Sequence, residues 1–270
     1  MTPGDPEDLK EAVRDFYGKI ARSSMPTSCC GTSGCCGDAS PEYSFITEDY
    51  SKLPGYVADA DLGLGCGIPT EQAELTEGET VLDLGSGTGN DAFVARRYVG
   101  EKGRVIGVDM TPSMLAKARE NAKKLGVTNV EFRLGEIEQM PVDADSVDVV
   151  LSNCVLNLVP DKKAAFAEMF RVTRKGGRFC VSDIVTRGTL PDKAREAAVL
   201  YAGCVSGAIP KEEYVGGLTE AGFKDVKVRK ERVVDVPPEV IEEHLGAEGL
   251  KQWKKDGSPI LSITVTGVKL

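Results

Sequence analysis

Eight cysteines in a chain with a single histidine pose the first question. Four of them, Cys29, Cys30, Cys35 and Cys36, form two adjacent pairs in TSCCGTSGCCGD (27–38), a Gly, Ser and Thr stretch with the composition of a flexible segment. Three more sit among small neighbours: Cys66 in GLGCGIP, Cys154 in SNCVLNLVPDK and Cys204 in YAGCVSGAIP. Thiolates are soft ligands and good nucleophiles, so this inventory suits a thiophilic centre or thiol–disulfide exchange. The paired thiols leave three readings open: a disulfide staple, a zinc site, or an arm that delivers thiols to chemistry elsewhere. For zinc the Cys-Cys-x4-Cys-Cys spacing departs from the usual pair of Cys-x2-Cys motifs. Cys66, Cys154 and Cys204 can each be a small buried hydrophobe or approach a ligand closely. Cys180, inside the alternating run GRFCVSDIV, reads as core.

A second chemical signal is VLDLGSGTGND (81–91), where an apolar run ends in closely spaced glycines. Gly85, Gly87 and Gly89 let the chain turn tightly and approach a ligand. The spacing is G-x-G-x-G, not the G-x-G-x-x-G of dinucleotide sites, and Asn90 stands where the last glycine would be. Asp109, at the end of the next strand in GVDM, is placed to accept hydrogen bonds from both hydroxyls of a ribose. With Asp83 just ahead of the loop, the set points to a nucleoside ligand.

These residues need a scaffold. Short Val/Ile/Leu runs alternate with helical segments from residue 80 onward, the pattern of βαβ units around a parallel sheet. Strands are expected over 80–84, 104–108, 130–134, 147–152 and 178–182, and helices over 91–99, 112–125 and 162–173, the last closed by Gly176-Gly177. Further helices are expected over 191–205 and 211–221, and strands over 224–236 and 260–269, packed on the same sheet. Leu9, Val13, Phe16, Tyr17 and Ile20 recur at helical spacing over 6–21. In such a sheet ligands bind beyond the carboxyl ends of the strands, which places Cys154 at the lip of the crevice beside the glycine loop. Three regions are expected: 1–75 with the first helix and cysteine-rich segment, a ligand-binding core over 76–186, and a substrate-side region over 187–270.

Composition narrows the class. The 270 residues carry a net charge of −9, which argues against a nucleic-acid or anionic-membrane partner. No apolar run reaches the roughly 20 residues of a membrane span, and the N-terminus lacks a signal-peptide pattern, so a cytoplasmic protein is expected. In a reducing compartment eight cysteines read as metal-binding, redox or catalytic. The basic run RVTRKGGR is expected as a solvated turn before a strand and not a nucleic-acid patch, and His244, in a charged helical stretch, as a solvated or capping residue.

Over 79–185 the chain resembles the class I S-adenosylmethionine-dependent methyltransferases. The resemblance implies an α/β, Rossmann-like fold with a seven-stranded, mostly parallel sheet and helices on both faces, here with an N-terminal cysteine-rich segment and a C-terminal α+β elaboration. It assigns Asp83, Gly85, Gly87, Gly89, Asp109, Met110, Ile137, Glu138 and Asn153 to the cofactor, with Ile137 and Glu138 in GEIEQMP flanking the adenine. No acid, tyrosine or histidine stands out as a general base for an oxygen or nitrogen acceptor. From Phe16 to Val236 the chain further resembles the arsenite methyltransferases, through YGKIARSS and the cysteine pairs, CG at Cys66, SNCVLNLVPDK, SDIV and CVSGAI. That likeness implies Cys66, Cys154 and Cys204 as ligands of the arsenic(III) substrate and Cys29 or Cys30 as a redox partner. It also implies arsenite or its glutathione conjugate as substrate and thioredoxin or glutathione as reductant. Leu64 and Gly65 replace a tyrosine common in that family, and Cys35-Cys36 exceeds its pattern. An organic-molecule methyltransferase and a non-catalytic thiol metalloid binder are the alternatives.

Overall fold

The computed structural model describes residues 6–22, 46–188, 207–256 and 259–270. Cys29, Cys30, Cys35, Cys36, Cys204 and the helix expected over 191–205 lie outside the described residues. Helix α1 (Pro6–Arg22) is followed by α2 (Pro69–Gln72), β1 (Thr80–Leu84), α3 (Asn90–Val99), β2 (Arg104–Asp109), α4 (Pro112–Leu125) and β3 (Val130–Leu134). Then come β4 (Val147–Asn153), α5 (Lys162–Val172), β5 (Thr173–Thr186), α6 (Lys211–Glu220), β6 (Lys224–Val233), α7 (Pro238–Asp256) and β7 (Ile260–Val268).

The seven strands form one sheet in the order β3-β2-β1-β4-β5-β7-β6, with β7 antiparallel to both its neighbours and the remaining pairs parallel. The central strands are buried along nearly their whole length and mostly apolar because helices cover both faces, which removes the reason for alternation. One face packs Leu82, Leu84 and Val150 against Phe166 and Met169 of α5 and Tyr214 and Leu218 of α6. The other packs Val81, Val149, Leu151 and Cys180 against Phe93 of α3 and Leu115 of α4.

The helices begin and end as their sequences require. Pro112 opens α4 at a position where its missing N–H costs nothing, and Gly126, in the left-handed region, closes it. Asp161 caps α5 by accepting from the Ala164 N–H at 2.9 Å.

One expectation is corrected. Gly176-Gly177 does not close α5: that helix stops at Val172, and the glycines lie inside β5. The register jumps from Val147↔Thr173 to Val149↔Arg178, and the surplus residues bulge, with Gly176 at φ 77°. The bulge is pinned to the end of the chain, since the Gly176 N–H donates to Lys269 O and the Lys269 N–H to Gly177 O. The basic run is, as expected, solvated ahead of the paired part of the strand: 174–176 are exposed in the bulge, where Arg174 pairs with Asp148, and Arg178 beyond it pairs with Glu79 at 2.7 Å. The apolar stripe of α1 is only partly covered, and Leu9 and Phe16 are exposed. His244 falls on α7, which breaks at Gly246 (φ 71°); its side chain is outside the described ones.

Candidate active site

β1 ends in the glycine loop. Gly85, Gly87 and Gly89 all have positive φ (61°, 52° and 98°), a region unfavourable for any residue with a Cβ. At Gly85 a Cβ would also strike Val155, and at Gly89 it would strike Phe93, whereas Gly87 faces open space. Gly89 is the N-cap of α3, so the loop delivers the chain to a helix N-terminus.

Asp109 at the end of β2 braces this loop. Its carboxylate accepts from the Gly87 N–H at 2.9 Å and from the Thr111 N–H at 2.7 Å. Burial raises its pKa, and those two backbone bonds work against the rise. Asp83 on β1 is buried and pushed well above the usual carboxylate range, first by burial and then by the charges of Asp91 and Asp109.

Asp83, Gly85, Gly87, Asp109, Met110, Ile137, Glu138 and Asn153 all line one pocket; Gly89 does not. The pocket also takes Lys10, Val13 and Tyr17 from α1. Lys10 reaches Glu136 at 2.6 Å and Glu138 at 3.2 Å and is raised to a pKa above the ordinary lysine range, led by its hydrogen bond to Glu136. The residues fit a nucleoside cofactor carrying hydroxyls and an ammonium group. Asp83 Oδ2, Ser86 Oγ and Asn90 Oδ1 are buried without a partner on residues that line the pocket, and Gly87 leaves the backbone room for close approach.

Cys154 stands in the wall of this pocket, and Cys66 lies close to it. The register Asn153↔Ser182 between β4 and β5 sets Cys154 opposite Asp183 just beyond the paired ends. Cys154 takes φ 59°, rare for a non-glycine residue, while its N–H still donates to Ser182 O at 2.8 Å. Cys66 arrives from the loop before α2. Its N–H donates to Asn153 Oδ1 at 3.1 Å, and its carbonyl accepts from Ser262 Oγ at 2.7 Å. Cys66 Sγ, Cys154 Sγ and an Asp183 oxygen lie within 4.8 Å of one another, all buried, and Cys154 lines the pocket wall.

Around them the fold gathers acids and tyrosines that the sequence gives no reason to group. Tyr50 hydroxyl lies 2.9 Å from both Gly67 O and Asp91 Oδ1, and Asn153 Nδ2 lies 2.7 Å from that hydroxyl and 3.0 Å from Asp91 Oδ2. Asp91 is pushed up to about 6 by burial, and the bonds from Asn153 and Tyr50 limit the rise. Asp183 is pushed up to about 7 by burial, although it accepts from the Ile184 and Asn157 N–H groups and from the Tyr214 hydroxyl. Asn153 therefore does more than line the pocket: it ties Cys66 to Asp91 and Tyr50. The strand-end rule that located Cys154 would have located Asp183 on the neighbouring strand; no sequence signal marks Tyr50. Cys180 is core, as expected. Its Sγ lies 3.1 Å from Pro69 O, and burial pushes the thiol up to about 12.

Residues 75–240 match the family model of a methyltransferase domain. The chain is 46% identical over 238 residues to the arsenite methyltransferase of Halobacterium salinarum, covering 83% of this chain and 59% of that protein. It is 35% identical to the arsenite methyltransferase of Aquipseudomonas alcaligenes, covering 88% of this chain and 68% of the relative. The chain thus spans about three fifths to two thirds of the length of these relatives. Among solved structures, the arsenic(III) S-adenosylmethionine methyltransferase of Chlamydomonas reinhardtii superposes with a TM-score of 0.66 at 35% identity, covering 76% of this chain and 68% of that one. Geranyl diphosphate C-methyltransferase from Streptomyces coelicolor, at 17% identity and a TM-score of 0.58, shares the fold. With the glycine loop, the braced Asp109 and the buried Cys154 in the pocket wall beside Cys66, this chain belongs to the arsenite methyltransferase family of S-adenosylmethionine-dependent methyltransferases.

Proposed function

We propose that the chain methylates trivalent arsenic held as substrate by the thiolates of Cys66, Cys154 and Cys204. The observation that carries this reading is the pair of buried thiols, Cys154 in the wall of the cofactor pocket and Cys66 with its Sγ within 4.8 Å of the Cys154 Sγ. Cys204 lies three residues before Gly207, and a Cβ on Gly207 would collide with the Asn157 carbonyl, three residues past Cys154. Cys204 itself lies outside the described residues, and its assignment rests on the resemblance to the arsenite methyltransferases.

S-adenosylmethionine, when bound, supplies an electrophilic methyl group. The chain's residues account for its binding: Asp109 accepts from the ribose, Asp83 and the loop backbone receive the methionine end, and Ile137 and Glu138 flank the adenine. At the acceptor side, three thiolates leave arsenic a lone pair, so no base has to remove a proton in the transfer itself. The task left to the chain is alignment, and well-oriented reactants gain roughly 7–11 kcal/mol over free encounter. The Asn153 bond to the Cys66 N–H and the pinned backbone of Cys154 hold two of the ligands for this purpose.

Methylation formally oxidises arsenic from the trivalent to the pentavalent state. Two thiols, one of them Cys29 or Cys30 and the other a second cysteine of the chain, return the two electrons, lose their protons and form one disulfide; thioredoxin or glutathione then reduces that disulfide. Incubation with arsenite, glutathione and S-adenosylmethionine, followed by mass spectrometry of arsenic species, tests the proposal. Methylated arsenic supports it; methylation of an organic acceptor with unchanged arsenite overturns it.

A further inference from the structure

The trithiolate reading uses sulfur and leaves Asp183 without a part. Its carboxylate is nonetheless the third member of the buried cluster with Cys66 Sγ and Cys154 Sγ, all ligand atoms within 4.8 Å. We infer that Cys66, Cys154 and Asp183 form a second ligand set at this place, one that binds a thiophilic divalent cation of the zinc and cadmium type and thereby blocks arsenic.

The geometry suits such an ion. With metal–sulfur bonds near 2.3 Å and a metal–oxygen bond near 2.1 Å, tetrahedral ligand atoms stand roughly 3.6–3.8 Å apart. The cluster reaches that spacing by an inward movement of about 1 Å, within the range of side-chain rotation. Two thiolates and one carboxylate give a mixed S2O set, favourable for a borderline cation, and the fourth position is left to water. Trivalent arsenic has no comparable use for a carboxylate, because its three bonds go to softer sulfur.

The ligands are also oriented by a surrounding shell, a requirement for a tight site. Asp183 Oδ2 accepts from the Asn157 N–H at 2.9 Å and the Tyr214 hydroxyl at 3.1 Å, and Oδ1 accepts from the Ile184 N–H at 2.9 Å. Cys66 is fixed through Asn153 and Ser262, and Cys154 through Ser182. Entry is through the cofactor pocket, whose wall includes Cys154 and Val155. Binding releases the two thiol protons to solvent, and the carboxylate balances part of the cation's charge.

The inhibitory part of this inference rests on the arsenic reading; the cation site does not. The probe is Cd2+, followed by the thiolate-to-cadmium charge-transfer absorption and by equilibrium dialysis. The protein is the full chain with Cys29, Cys30, Cys35 and Cys36 changed to Ser, which removes the competing thiol pairs. One Cd2+ per chain is expected. Asp183→Asn should weaken it by about tenfold or more while changing arsenite affinity by less than about threefold. Cys154→Ser should abolish it, and S-adenosylmethionine binding reports that each variant is folded. In the wild type, Cd2+ should raise the apparent KM for arsenite. Unchanged Cd2+ affinity in Asp183→Asn, or tight binding that survives Cys154→Ser, overturns the site. If arsenite is methylated and Cd2+ is not bound, the cation site alone fails. If Cd2+ binds as described and no methylarsenical forms, the arsenic reading alone fails.

Discussion

Cys154 and Cys180 lie on neighbouring strands or just beyond them, both are buried, and the account assigns them opposite roles. Cys154 sits at the pocket wall in a left-handed backbone conformation, grouped with Cys66. Cys180 points into the opposite face of the sheet, where its thiol is pushed up to about 12. At pH 7 a thiol of that pKa is ionised in about one molecule in 10⁵, too rarely to serve as a ligand or nucleophile. Cys154→Ser replaces a soft ligand by a hydroxyl and leaves arsenic at most two protein thiolates. Since a misplacement of about 1 Å can cost on the order of 10²-fold in rate, methylation should fall at least that far. Cys180→Ser should leave methylation per folded molecule unchanged. Its stability cost should be small, about 1 kcal/mol, because the new hydroxyl inherits the Pro69 carbonyl 3.1 Å away as an acceptor. The assay is single-turnover methylation of arsenite, normalised to S-adenosylmethionine-binding protein, with chemical denaturation for stability. Retained activity in Cys154→Ser, or abolished activity in folded Cys180→Ser, would refute the reasoning.

Asp109→Ala removes a charged acceptor at the ribose position and the brace of the glycine loop; hydrogen bonds to charged groups are worth roughly 1.5–3 kcal/mol, so calorimetry should record an affinity loss of about 10- to 150-fold. Changing Cys29, Cys30, Cys35 and Cys36 to Ser should spare one methyl transfer and slow repeated turnover; full multiple-turnover rates would remove the N-terminal thiols from the cycle. This substitution is a cleaner test than deletion of residues 1–37, which would also remove Lys10, Val13 and Tyr17 from the cofactor pocket and weaken S-adenosylmethionine binding. Asp91 is raised from its ordinary value of 3.8 to about 6, so its proton favours the folded state: that stability is complete below pH 3.8 and is lost as pH rises through 6. Roughly 1 kcal/mol of this falls between pH 5 and pH 8, so denaturation at the two pH values should show a wild-type difference that Asp91→Asn reduces by about that amount, the remainder belonging to Asp183, which is raised to about 7.

The sheet was legible in the sequence because a parallel core leaves its central strands mostly apolar in short runs: VLDL and VDVVLSN carry the signal without help from distant residues. The glycine loop was legible for a similar reason, its conformation being written in three glycines at fixed spacing. Gly176-Gly177 misled because a glycine after a helical run suits both a helix cap and a bulge, and only pairing with Lys269 at the far end of the chain decides between them. The site divides in the same way. Cys154 follows from strand order alone, whereas the tie between Tyr50, Asp91, Asn153 and Cys66 joins four separate segments and exists only in the folded chain.

The most direct test of the account is arsenic K-edge X-ray absorption of the full chain loaded with one equivalent of arsenite in the absence of small thiols, with the cysteine pairs at 29–30 and 35–36 changed to Ser. The account predicts three sulfur neighbours and no oxygen on arsenic, falling to two sulfurs in each of Cys66→Ser, Cys154→Ser and Cys204→Ser. An oxygen-ligated arsenic in the parent protein, or a sulfur count that none of the three substitutions alters, would contradict it.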